Sequence, residues 1–237
     1  MLFDLRGRGR RRTIQVIYLT LAILMGGGLI LFGIGGATSG GLVDAITGGG
    51  GGGGTSFEDR VDEAREKVQA NPQDAEALAE LVLARWALAQ QEANEQDVET
   101  AEEAWNAAEV REQLDLADRA WQRYVALEPT EINAGAAGAM LQVYSLLNQP
   151  DKGVGAAEAL TEAQPNSYGP YTQLFQVALQ AGQNRKAQLA YDRALELAGE
   201  DSKQTRDTVK SQMDAVRQAI ENPGAASGED ASSATGE

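Results

Sequence analysis

Helix-breaking residues recur at a fixed interval in this chain, and that interval limits the folds open to it. Pro129 and Pro165 are 36 residues apart, and Gly199 follows Pro165 by 34. Between them the sequence is rich in alanine, leucine, glutamate and glutamine and shows no alternating strand pattern. An interval near 34 accommodates two short helices and their turns. Each such pair has more apolar face than it can bury alone, so successive pairs must stack and the ends need caps. Pro72 precedes Pro129 by 57 residues, 23 more than one interval of 34, which predicts an insertion around residues 89–110.

The helices can be placed from their start and stop signals. Thr55-x-x-Glu58 and Ser56-x-x-Asp59 are capping-box patterns for a helix over 57–70, ended by Asn71-Pro72. A second helix is expected over 74–91, with Leu78, Leu81, Val82, Arg85 and Leu88 at helical spacing. A third is expected over 98–127, stopped by Glu128-Pro129-Thr130. Others follow at 132–147, 151–163, 167–181, 184–198 and 202–221. Asn148, Gly182 and Gly199 stand where a left-handed C-cap residue belongs.

The last two units resemble the tetratricopeptide repeat. Tyr171, Leu174, Ala178, Gly182, Ala187, Tyr191, Ala194 and Leu195 stand where that family places its aromatic, leucine, turn glycine and A-x-x-x-[FY]-x-x-A-L series. Met140, Tyr144, Asn148, Gly153 and Pro165 match in the middle unit. The first unit keeps Leu78, Leu81, Ala117, Trp121, Tyr124 and Pro129. The family's small residue after the first-helix leucine is replaced by Leu141 and Phe175. The resemblance implies an α-solenoid of about three helix pairs over residues 74–199, with 57–70 as a stray second helix and 202–221 as a capping helix. The repeat-signature residues it assigns include Tyr144, Ala187, Tyr191 and Ala194.

A different signal governs the N-terminus. From Ile14 to Ile34 there is no charge, 21 residues or about 32 Å of helix, enough to cross a ~30 Å hydrocarbon core. Arg6, Arg8, Arg10, Arg11 and Arg12 precede the run, and no basic residue follows until Arg60. That bias predicts a cytoplasmic segment at 1–12, a transmembrane helix at 13–36 and an extracytoplasmic remainder. The alternative is a cleaved secretory signal, for which Gly35-Gly36-Ala37 and Ala37-Thr38-Ser39 are weak cleavage sites. Residues 37–56, with glycine from 48 to 54, read as a flexible linker. Residues 223–237 read as a disordered polar tail. The expected fold class is therefore all-α, an N-terminal transmembrane helix followed by a helical domain at 57–222.

Charge and composition exclude several functions. The five clustered arginines, Asp4 and Asp44 come off totals of 20 basic and 35 acidic residues. What remains beyond residue 56 is 15 basic and 33 acidic, a net −18. That disfavours nucleic acid, whose affinity comes from phosphate neutralisation. Without histidine or cysteine, no thiolate or imidazole metal site can form and no disulfide is possible. There is no nucleophile motif, phosphate loop or dinucleotide fingerprint. The expectation is no catalytic residue, no cofactor, no metal and no small-molecule substrate.

Carried over position by position, the family's groove falls on Glu76, Ala79, Leu83 and Trp86 in the first unit. In the second it falls on Gly135, Gly138, Gln142 and Ser145, and in the third on Gly169, Thr172, Gln176, Leu179 and Gln180. From these, Trp86, Gln142, Ser145, Thr172, Gln176 and Gln180 are the expected peptide-groove residues. The lysine and asparagine set with which some members clamp a terminal carboxylate is missing. The expected function is a membrane-anchored extracytoplasmic scaffold or chaperone-like adaptor for polypeptide partners in a bacterial cell envelope. A structural subunit of an envelope complex, or a secreted soluble repeat protein, are the alternatives.

Overall fold

The computed structural model describes residues 56–221. The span expected at 13–36, the tail expected at 223–237 and all of the expected linker except Ser56 lie outside them. Among the described residues, nine helices and no strand are present, and no helix is long and apolar enough to cross a membrane.

Helix α1 (Phe57–Ala70) starts at a capping box: the Ser56 hydroxyl accepts from the Asp59 amide, and the Asp59 carboxylate accepts from the Ser56 amide, both at 3.1 Å. Its buried stripe of Val61, Ala64 and Val68 lies one turn apart and packs on helix α2 (Ala75–Glu95). Asp74 caps α2 by accepting from the Ala77 amide at 3.0 Å. After the short helix α3 (Ala101–Trp105), α2 pairs with α4 (Ala108–Ala126). Helix α5 (Ala134–Leu146) pairs with α6 (Pro150–Ala163), and α7 (Tyr168–Gln180) pairs with α8 (Asn184–Asp201). Helix α9 (Lys203–Glu221) lies on α8 and α7.

Each pair packs on the next. One apolar cluster runs from Val68 of α1 to Ala156 and Leu160 of α6, a second joins α6 through α9, and Leu141 touches both. The second cluster ends on α9, whose Val209 and Met213 are buried while Lys210, Ser211 and Gln212 between them are exposed. One apolar stripe inward and polar residues elsewhere is the pattern of a cap.

Two expected turns have the backbone they were assigned. Asn148 has φ 54° and Gly182 φ 70°. In each the residue after the turn donates back: Gln149 to the Tyr144 carbonyl and Gln183 to the Ala178 carbonyl, both at 2.8 Å. These are paired Schellman turns, 34 residues apart. Glu128 is a third left-handed residue, at φ 48°. Its amide donates to Val125, but Pro129 follows and has no amide to complete the motif.

Three expectations are corrected. Gly199 is not a C-cap: α8 runs through it to Asp201 and stops at Ser202, whose hydroxyl accepts from the Thr205 amide and starts α9. The second helix runs four residues past Gln91. The expected helix over 98–127 is broken at Asn106–Ala107, where Ala107 is extended at ψ 144° and the Asn106 side chain donates to the Glu102 carbonyl at 2.8 Å. The break lets Trp105 lie flat on Trp86, ring centroids 5.7 Å apart and planes 13° from parallel.

Candidate peptide-binding face

Helices α5 and α7 are the first helices of the second and third pairs. Neither carries a charged residue: AGAAGAMLQVYSL and YGPYTQLFQVALQ. Their apolar residues go inward. Met140, Val143 and Tyr144 on α5 and Phe175 and Ala178 on α7 are buried, so the polar residues between them are forced outward. Gln142 and Gln176 are half-buried, 34 residues apart, at the same register position of their helices; Ser145 and Gln180 are exposed. Among the described residues, the side chains of Gln142, Ser145, Gln176 and Gln180 hydrogen-bond to no other protein group, whereas the Thr172 hydroxyl donates to its own Gly169 carbonyl at 2.7 Å. The face therefore offers free amide donors and acceptors.

In the first unit α2 packs on α5 and presents an exposed charge, Glu76. Trp86 is only 9% exposed and its ring is covered by Trp105; Ala79 is buried. Leu83 is half-buried and lies over Gly135, where a Cβ would come within 3.7 Å of its methyl group. Nothing in the spacing of Trp86 showed that the insertion would return an indole onto it.

Tight packing fixes α5 and α7 around α6. A Cβ on Gly153 would meet Val177 Cγ2 at 2.8 Å, with Tyr144 and Leu141 on its other side. Ala187, one interval later, is also buried, as are Ala194 and Tyr191. Phe175, where the repeat has a small residue, instead packs against Tyr191 at 5.6 Å, and Arg217 of α9 lies over both rings at 5.4 and 4.8 Å.

A polar knot missed in the sequence holds the second pair to the first. Asp118 of α4 accepts from the Tyr144 hydroxyl at 2.6 Å, from Lys152 Nζ at 2.7 Å and from Gln122 Nε2 at 3.3 Å. Burial pushes the Asp118 carboxyl up, but the hydrogen bonds from Lys152, Tyr144 and Gln122 outweigh it and hold the group below the usual carboxylate range. The Tyr144 hydroxyl is pushed up, first by burial and then by Asp118. One signal was available: Asp118 and Lys152 are opposite charges one 34-residue interval apart, on successive second helices. A second chain of polar groups runs between α2 and α4, where buried Arg85 donates to Gln113 at 2.6 Å and Gln113 donates to Glu92 at 3.1 Å. Burial raises Glu92 and lowers Arg85.

No family model matches the chain, and no curated protein matches it. Among solved structures, the crystal structure of MamA is similar at 20% identity, covering 61% of this chain and 90% of that one, with a TM-score of 0.33.

Proposed function

We propose that this chain is a non-enzymatic interaction protein: a single-pass, N-in anchor presenting a tetratricopeptide-type helical domain outside the cytoplasmic membrane, whose α5–α7 face binds a polypeptide partner. The observation that carries this reading is the uncharged outward face of α5 and α7 with its free glutamine amides. Paired turns and close-packed small residues recurring at 34 residues support the repeat assignment. The uncharged run behind an arginine cluster supports the anchor. Fold does not fix function, so the claim rests on the face rather than on the architecture.

The test is affinity purification from detergent-solubilised membranes. Replacing Gln142, Gln176 and Gln180 together with glutamate adds three charges to the face without touching the core. Partner recovery should collapse while helicity and melting temperature hold. A second reading, a structural subunit of an envelope complex, draws on Val98, which is 43% exposed in the acidic stretch between α2 and α3. Recovery that survives the triple substitution but is lost with Val98→Arg establishes that reading instead.

A further inference from the structure

We infer that the groove between α6, α7 and the start of α8 is the docking site of this chain's own residues 223–230. The groove, about 730 Å³, is lined by Tyr171 and Leu174 of α7, by Leu189 of α8 and by Glu158 of α6, which pairs with Lys186. Leu189 is 63% exposed, more than Val98, the other large apolar side chain open to water among the described residues. An exposed leucine alone needs no partner, but this one stands beside a cation. Arg185, one turn before it, also lines the groove, is exposed and makes no ion pair among the described residues. From Asn184 to Tyr191 the helix carries Arg185 and Lys186 and no acid, in a domain that is otherwise strongly negative. The course of α9 selects the occupant. Arg206 lies beside Gly199, Asp214 accepts from Tyr191 at 2.8 Å and Arg217 donates to Gln188 at 3.1 Å. Helix α9 therefore runs back along α8, and its last turn stands beside the start of α8. Beyond Glu221, Asn222-Pro223 disfavours further helix. Residues 222–237 carry Glu229, Asp230 and Glu237 and no base. Eight residues separate Glu221 from Glu229, about 26 Å at full extension against a helix diameter of about 10 Å. Pro223, Ala225 and Ala226 cover Leu189, and Glu229 and Asp230 complement Arg185. The contacts can be individually weak, because a short tether holds the segment at an effective concentration on the order of millimolar.

The chain has no cysteine, so two introduced cysteines are its only thiols. In the full chain in detergent, Asn184→Cys with Ser227→Cys reports on the groove, and Ser211→Cys with Ser227→Cys is the control. Ser211 is exposed on α9, about 15 Å of helix from Glu221 and within the same reach. Under mild oxidation the groove pair should close its intrachain disulfide about tenfold faster than the control pair, or more. Arg185→Glu, at an exposed position in the first turn of α8 where an acid suits the helix, should remove that advantage without loss of helicity. Equal rates for the two pairs, or an advantage that survives Arg185→Glu, overturn the inference. Disulfides that chiefly link two chains make a second copy the occupant and overturn it as well.

Discussion

The domain builds the same chemical group twice, once at a joint and once at its end. At the joint, Tyr144 and Lys152 share the Asp118 carboxylate; at the end, Tyr191 and Lys210 share Asp214, at 2.8 and 2.6 Å. The distances are alike but the settings differ. The Asp118 side chain is 17% exposed and its partners come from α4, α5 and α6; the Asp214 side chain is 35% exposed and its lysine is on its own helix, four residues away. A carboxylate shared by three helices fixes their relative placement, whereas Asp214 ties only α9 to α8, through Tyr191, and otherwise pairs within its own helix. Bond length alone therefore says little about what such a group does. What separates the two is which elements it ties and how much water is excluded.

The largest effect that would sharpen this contrast is truncation of the carboxylate. Asp118→Ala leaves the buried Tyr144 hydroxyl without its acceptor, an expected loss of about 2–4 kcal/mol. Asp214→Ala should cost less, about 1 kcal/mol, because the exposed Lys210 turns to solvent and only the Tyr191 hydroxyl loses its acceptor. Thermal unfolding followed by circular dichroism measures both. Equal losses would break the comparison and show that burial is not what distinguishes the two groups.

The joint and the end also differ in backbone packing. Gly153→Ala drives a methyl to 2.8 Å from Val177 Cγ2, a stiff branched side chain held in the core. The gain of up to ~1 kcal/mol from replacing a helical glycine should be outweighed, for a net loss of about 1–2 kcal/mol. At Gly199 the neighbour is Arg206 Cδ at 3.3 Å, part of a long exposed side chain that can swing aside. Gly199→Ala should be neutral or stabilising by up to about 1 kcal/mol. Denaturant midpoints at unchanged slope decide it; a stabilising Gly153→Ala would show that the joint has slack.

The same two regions show what the sequence could reveal. Periodic features were readable because each is a property of one residue and its register. Asn148 and Gly182 turn where expected, and Ala187 and Ala194 are buried. Features that depend on two distant residues meeting were not readable. The Trp86–Trp105 stack needed the break at Asn106, and no proline or glycine marks that break. Gly199 carried the residue type of a C-cap, but Ser202 three residues later supplied a stronger start for α9, and the helix ran on to meet it. Asp118 and Lys152 stand one interval apart, yet neither sits on an apolar stripe, so neither carries the mark of a core position. Gln142, Ser145, Gln176 and Gln180 are half-buried or exposed at the positions expected of them. Trp86 is not, because its burial comes from the insertion.

Acid titration gives the smallest effect and the finest test of the comparison. Asp118 and Asp214 both sit below the usual carboxylate range when folded; burial opposes this at Asp118, while Lys210 and then Tyr191 produce it at Asp214. A depressed carboxylate contributes stability that is complete above its unfolded value, about 3.9, and lost as pH falls through the folded value. Glu92 acts with the opposite sign: burial raises it, so protonating it as pH drops below neutrality relieves a penalty. Stability should therefore hold or rise slightly on the way down to about pH 4 and decline below it. Asp118→Asn keeps an acceptor for Tyr144 but removes the titration, and should flatten that decline by a fraction of the ~1.4 kcal/mol per pH unit that one proton can supply. Asp214→Asn should flatten it less, because solvent screens the more open pair. Chemical denaturation of both variants between pH 2.5 and 5 reads the slopes. A larger change at Asp214 than at Asp118 would reverse the ranking of joint over end.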